Sequence, residues 1–135
     1  MSGTLVDANV ILDVLTEDLE WLDWSIGALE RAIEAGPVYV NPVIYAEVSV
    51  RFSTIEGLEE ALPVDQFRRL AVPWEAAFLA GKAFVRYRRS GGSRLAPLPD
   101  FFIGAHAAVA GLDLLTRDAG RFRTYFPSVP IVAPS

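Results

Sequence analysis

Four acidic side chains stand where a metal-dependent reaction could take place. Asp7 and Asp118 each follow a short β-prone run, Glu47 lies inside an apolar stretch, and Asp100 directly precedes one. Carboxylates that come close together repel each other unless they are protonated, paired with a cation or bridged by a metal. Mg²⁺ and Mn²⁺ are the hard cations that oxygen ligands suit. If the four acids converge, they predict a metal site.

Each acid also has an ordinary structural explanation, because the chain contains 17 Asp and Glu residues. Asp7 could be a turn residue, Asp100 a helix N-cap, Asp118 the start of a turn and Glu47 a charge on a helix surface. The surroundings of Glu47 favour the metal site. Its neighbours are almost all apolar, and an unpaired charge is costly to bury. A shared metal pocket would remove that cost.

The hydrophobic pattern predicts short apolar strands that alternate with helices. The predicted strands are 4–6, 38–40, 70–72, 114–116 and 130–132. The predicted helices are 10–15, 21–35, 44–52, 53–62, 74–89 and 101–110, with a turn or short helix at 121–126. Residues 97–99 are predicted to form a rigid loop that leaves Asp100 as the N-cap of the next helix. This alternation predicts an α/β sandwich around a parallel sheet.

Such a sheet would bring the four acids to one edge. Ligands bind at the carboxyl ends of parallel strands, where Asp7 and Asp118 are expected. Crossover helices run antiparallel to the strands, so their N-termini lie at the same edge. This arrangement places Asp100 there and Glu47 about one helical turn away.

Composition limits the class of protein. The length of 135 residues predicts a single domain, 1–135, and 52% hydrophobic residues are enough for a folded core. The absence of cysteine excludes disulfides and thiolate metal sites. We expect a cytoplasmic protein that does not span a membrane, since charged residues interrupt every long apolar run and the first residues do not resemble a secretory signal.

The net charge of −5 is unevenly distributed. Residues 1–75 carry 4 basic and 14 acidic side chains, whereas residues 76–99 carry five basic side chains and no acid. The basic side chains run from Lys82 to Arg94. An overall acidic protein is not typical of a general nucleic-acid binder, although a local arginine stripe can contact phosphates. On charge alone, a solvated helix face is the favoured interpretation.

Other kinds of site are poorly supported. His106 lies in an alanine-rich helix without a triad motif, which favours a packed or surface histidine. The three Trp and eight Phe residues are predicted to serve the core. A phospho-acceptor domain would also gather acids at strand ends, but Lys82 is the only lysine and falls in the middle of a helix. A metal-dependent phosphatase stays open as an alternative, because the same pocket can attack other phosphoesters.

Four segments resemble the motifs of the PIN domain, and they are most similar to those of VapC-type toxins. The segments are LVDANVILD (5–13), NPVIYAE (41–47), PDFFIGAHA (99–107) and LLTRDAGRF (114–122). They occur in the family's order from one end of the chain to the other. The resemblance implies a PIN-like three-layer α/β/α sandwich, with a short central parallel sheet of about five strands flanked by helices.

The resemblance also implies a function. It suggests a Mg²⁺-dependent endoribonuclease, with Mn²⁺ able to substitute, that is the toxin of a type II toxin–antitoxin pair. The implied catalytic and metal-binding residues are Asp7, Glu47, Asp100 and Asp118. An RNA substrate, a cognate antitoxin and a homodimer are the implied partners. A non-catalytic PIN-like binding domain is an alternative, but it would lack one or more of the four acids.

Two further polar residues match the family's accessory positions, Asn9 in the first motif and Thr116 in the last. Gly104 departs from the more usual alanine, which is expected to let its helix pack closer without removing a ligand. The division of the acids into direct metal ligands and residues that orient them stays open. So does the choice among transfer, ribosomal and messenger RNA. We expect apolar surface for a homodimer on the 74–89 helix and on the helix that begins near Trp21.

Overall fold

The computed structural model describes residues 3–92 and 98–135. Its strands are β1 (Thr4–Val6), β2 (Val38–Val40), β3 (Arg68–Arg69), β4 (Asp113–Leu115) and β5 (Ile131–Val132). Its helices are α1 (Ala8–Leu15), α2 (Leu22–Ala35), α3 (Pro42–Ser49), α4 (Ile55–Ala61), α5 (Trp74–Arg89), α6 (Leu98–Ala110) and α7 (Gly120–Tyr125). The predicted α/β fold is confirmed.

The five strands form one parallel sheet in the order β3-β2-β1-β4-β5. Leu5 of β1 is aligned with Tyr39 of β2 on one side and with Leu114 of β4 on the other. The strand order therefore reverses between β1 and β4, and the crevice at such a reversal is where open α/β sheets bind ligands. The central strands β1 and β2 are buried along their whole length, as expected for a sheet covered on both faces.

The strand predicted at 70–72 is wrong. β3 is formed by Arg68 and Arg69, and the chain leaves the sheet after Leu70, whose N–H donates to the carbonyl oxygen of Val40 at 3.0 Å. The physical reason is that β2 ends at Val40, because Asn41 is the N-cap of α3. An apolar run has no strand to pair with beyond that point.

The predicted start of the sixth helix is also wrong. α6 begins at Leu98, so Leu98 and Pro99 are helical rather than part of a loop, and Asp100 lies inside the first turn instead of at the N-cap. Proline is tolerated there because the first N–H groups of a helix have no partner within it. Two sequence features, Pro97 of the predicted loop and Arg94 of the basic segment, fall outside the described residues.

Helix α5 packs along α6 through a face of small residues, Ala76, Ala80 and Ala83, all of which are buried. Two of its aromatic residues, Trp74 and Phe78, point outward. Trp74 is 89% exposed and Phe78 is 68% exposed, so the prediction that these two rings serve the core is wrong. Within the described ranges, no helix is both long and apolar enough to cross a membrane.

Gly104 permits a close contact between α6 and Phe126, the residue that follows α7. A Cβ atom at position 104 would collide with the ring of Phe126. The closer packing expected of this glycine is confirmed. The ring of Phe101, one helical turn before Gly104, contacts those of Tyr87, Tyr125 and Phe126. This cluster joins α5, α6 and α7 beside the carboxyl edge of the sheet.

Candidate functional site

The candidate site lies where β1 and β4 deliver their following residues to the same edge. Asp7 directly follows β1, and its backbone N–H donates to the carbonyl oxygen of Leu115 at 2.8 Å. β4 ends at Leu115, one residue before the predicted strand end, so Thr116 directly follows the strand. These two side chains meet at the reversal of the strand order.

Asp7 is 5% exposed. Although it occupies the N-cap position of α1, its side chain makes no capping hydrogen bond. Its Oδ2 instead accepts a hydrogen bond of 2.8 Å from the Thr116 hydroxyl. Burial raises the pKa of Asp7 to about 6, partly opposed by that hydrogen bond and reinforced by the charges of Asp100 and Asp118. The carboxylate of Asp7 is therefore held by Thr116 and does not cap α1.

Thr116 and Asn9 fix the loop that follows β4. Asp118 donates its backbone N–H to the Thr116 hydroxyl at 3.1 Å, and Arg117 donates its own to Asn9 Oδ1 at 3.1 Å. The amide of Asn9 also lies 3.4 Å from the Thr116 hydroxyl. Both accessory residues thus orient the loop that carries Asp118, whose own side chain is exposed.

Glu47 projects from α3, which Asn41 holds in place. Asn41 is buried, accepts the N-cap hydrogen bond from Ile44 at 2.9 Å, and bonds through its amide to the buried His106 at 3.0 Å. Glu47 Oε1 is buried without a hydrogen-bond partner. Burial, followed by the charges of Asp7 and Asp100, raises the pKa of Glu47 to about 7.

Asp100 faces the same region from the first turn of α6. Its Oδ2 accepts a hydrogen bond of 2.7 Å from Arg121 of α7. Burial raises the pKa of Asp100 above its ordinary value, although the Arg121 cation opposes this rise and the charge of Asp118 adds to it. Electrostatic interactions therefore link Asp7, Glu47, Asp100 and Asp118 into one group.

The donor chemistry of this group fits a hard divalent cation. Unpaired buried oxygens are rare in folded proteins, and the orphaned Oε1 of Glu47 lies within the field of two other carboxylates. In the part of the chain that the structure describes, no group of three or more acidic or histidine side chains is already arranged as a metal site. The fold brings the four acids near one another, but their carboxylates do not converge on one point that could already hold a metal ion.

Sequence reasoning missed two arginines at this edge. One is Arg121, described above. The other is Arg117, whose guanidinium makes two hydrogen bonds, of 2.9 and 3.1 Å, to the buried carboxylate of Asp13. Ser25 donates to the same carboxylate at 2.7 Å. The one available signal was the four-residue spacing of Asn9 and Asp13, which puts both on one face of α1.

His106 takes no part in the site. It is 1% exposed, its ring nitrogen bonds to Asn41, and burial lowers its pKa. The interpretation of this residue as a packed histidine is confirmed. It supports the N-cap of α3 and so the position of Glu47.

Comparison with known protein families matches residues 4–126 to the PIN domain. No curated protein sequence matches the chain. Among solved structures, the fold is similar to VapBC2 from Rickettsia felis bound to a DNA fragment from its promoter, with a TM-score of 0.73 and 14% identity over 98% of both chains. VapBC-1 from nontypeable Haemophilus influenzae gives a TM-score of 0.73 and 15% identity, again over 98% of both chains. A toxin–antitoxin complex from Klebsiella pneumoniae gives 0.68 and 21% over the same shares.

The family match covers nearly the whole chain and includes every acid of the candidate site. The similar solved structures have the same fold over nearly their full length. The chain therefore belongs to the PIN domain family.

Proposed function

We propose that this protein is an endoribonuclease that depends on Mg²⁺ or Mn²⁺ and is the toxin of a toxin–antitoxin pair. The observation that carries the proposal is the buried, unpartnered Oε1 of Glu47, which faces the fields of Asp7 and Asp100. A buried oxygen in that position is poorly explained by folding stability alone, since it costs about 1–3 kcal/mol when left without a partner. It is well explained as part of a cation site.

The role proposed for each residue follows from its position in the site. Asp7 and Asp100 would hold the metal, and Glu47 and Asp118 would bind it or orient the groups that do. Thr116 keeps Asp7 in one orientation through their 2.8 Å hydrogen bond. The cation would lower the pKa of water and stabilise negative charge on the phosphate.

The direct test is cleavage of RNA by the purified protein. We expect cleavage with Mg²⁺ or Mn²⁺ and none when a chelator is in excess, because the acids by themselves repel the phosphate. Sequencing the ends of RNA from cells that express the protein would then identify the target. Undiminished cleavage in excess chelator would contradict the proposal.

The proposed antitoxin has a suitable surface beside the acids. An open groove between α3 and α6 is lined mainly by apolar side chains, including Val50, Leu98 and Phe102, with Glu47 at its side. One similar structure is a toxin–antitoxin complex. We propose that an antitoxin helix occupies this groove and places a side chain near the acids. Because the substrate is cellular RNA, we place the activity in the cytoplasm.

A homodimer is proposed through the outer face of α5. Trp74 and Phe78 are one helical turn apart and are both mostly exposed, which is unusual for rings of this size. Light scattering should give about twice the 14.8 kDa mass of one chain. Trp74→Ser combined with Phe78→Ser should give a monomer, whereas the control Leu19→Ser, at another exposed apolar residue, should not. A wild-type monomer at micromolar concentration would contradict the proposal.

A further inference from the structure

Arg121 is the basic side chain that reaches into the group of acids. Its guanidinium lies 2.7 Å from Asp100 Oδ2 and 5.4 Å from the centre of the Tyr87 ring. In the described residues, ion pairs are found at Asp100, Asp13 and Glu59, and none is found at Asp7 or Glu47. Arg121 is therefore the cation that offsets the charge of the site, and it does so at a single carboxylate.

The position of this arginine has two consequences. A guanidinium bound to Oδ2 competes with any metal ion that uses the same oxygen. Its side chain is 31% exposed and lies over the Tyr87 ring, which gives it a second contact beside Asp100 and access to solvent. A planar guanidinium is also well suited to phosphate oxygens.

Further arginine side chains lie beyond Tyr87. The Tyr87 ring is 5.9 Å from the Tyr125 ring, and Arg86 lies over Tyr125 and donates to its carbonyl oxygen at 3.2 Å. Arg86 is exposed and begins the arginine-rich end of α5. Positive charge therefore continues from the acids onto the surface, as a bound nucleic-acid strand requires.

We propose that Arg121 is an exchangeable counter-ion. It holds Asp100 when no metal is bound, releases Oδ2 to a divalent cation, and then contacts a phosphate oxygen of the RNA. This inference rests on the proposed function, because it requires that the acids bind a metal and that the substrate is a nucleic acid. Under this proposal Arg121 weakens metal binding, because it competes for Asp100, and strengthens RNA binding, because it contacts a phosphate oxygen.

The experiment compares Arg121→Gln with Arg123→Gln, which removes the same charge from an exposed position two residues along α7. Titration calorimetry should show that Arg121→Gln binds Mn²⁺ about three- to tenfold more tightly than wild type, the range expected when one partly exposed ion pair no longer competes. Arg123→Gln should bind Mn²⁺ as wild type does. Thermal melting of both variants checks that they are folded.

Cleavage at saturating Mn²⁺ provides the second readout. We expect kcat/KM for RNA to fall about tenfold or more in Arg121→Gln, through the loss of a charged phosphate contact, and Arg121→Lys to restore part of it. Wild-type protein that binds no Mn²⁺ would overturn the proposed function itself. If wild type binds Mn²⁺ but Arg121→Gln binds it no more tightly than Arg123→Gln, only the role of Arg121 is overturned. Unchanged cleavage by Arg121→Gln would overturn it as well.

Discussion

Replacing Asp7 with asparagine is expected to abolish RNA cleavage while leaving the protein folded. Asp7 is the most buried of the four acids, and Thr116 fixes its carboxylate. Residues that only orient a metal ligand contribute roughly 10- to 100-fold, so loss of a ligand should cost more than about a hundredfold in kcat/KM. Cleavage at saturating Mn²⁺ measures this effect.

The fold should tolerate Asp7→Asn because asparagine has nearly the same shape and removes one of several like charges. Its melting temperature without metal should equal or exceed that of wild type. Asp113→Asn is the matched control, since Asp113 is an exposed aspartate at the opposite end of β4. That variant should cleave RNA as wild type does. Activity within a fewfold of wild type in Asp7→Asn would remove Asp7 from the site.

The metal-free protein should lose stability as the pH rises from 5 to 8. Asp7 and Glu47 have folded-state pKa values of about 6 and about 7, above their ordinary values of 3.8 and 4.5. Between pH 5 and pH 8 the folded protein therefore binds more protons than the unfolded chain. Its free energy of unfolding falls as the pH rises through this range. The contribution is fully present below about pH 4 and is lost as the pH passes through 6 and 7. For Asp7, the rise in pKa from 3.8 to about 6 corresponds to roughly 3 kcal/mol in the free energy of unfolding.

Glu47→Gln should reduce this loss of stability. At pH 8 the variant lacks the charge of a half-buried carboxylate whose Oε1 has no hydrogen-bond partner, so its free energy of unfolding without metal should exceed that of wild type. At pH 5 the difference should be small, because Glu47 is then largely protonated. Urea unfolding at both pH values measures the difference. Glu34→Gln, at an exposed glutamate of α2, is the control and should change neither curve.

Addition of Mn²⁺ should oppose the loss of stability at high pH. A ligand at a hundredfold excess over its Kd stabilises the folded state by about 2.7 kcal/mol. That gain should be smaller in Glu47→Gln than in wild type or in Glu34→Gln. Metal-free protein that becomes more stable between pH 5 and pH 8, or equal gains from Mn²⁺ in all three proteins, would contradict the assignment of Glu47.

The sequence by itself was sufficient to predict much of the fold. Short apolar runs separated by helical periodicity predict a parallel sheet, because only strands buried on both faces are apolar throughout. The ends of those runs place Asp7 and Asp118 at one edge, since parallel strands share a direction. Four motifs in order pointed to the PIN domain family, which the family comparison confirmed.

Errors in the prediction arose where a local pattern depended on a distant partner. Residues 70–72 have the composition of a strand, but β2 ends before it could pair with them. Trp74 and Phe78 have the composition of a core, but α5 turns its alanines toward α6 instead. In both cases the outcome depended on which neighbour was available, and neighbours are not encoded locally.

The chemical state of the site was decided only by tertiary structure. The sequence contains the four acids and places Glu47 among apolar neighbours, but it does not show that Glu47 Oε1 is buried without a hydrogen-bond partner while Asp118 is exposed. Nor does it pair Asp100 with Arg121, which is 21 residues away. Burial and charge pairing set the pKa values and the available oxygens, and both depend on distances in space. Residue types and spacing determined which groups are present, and folding determined which of them carry charge and which are free to bind.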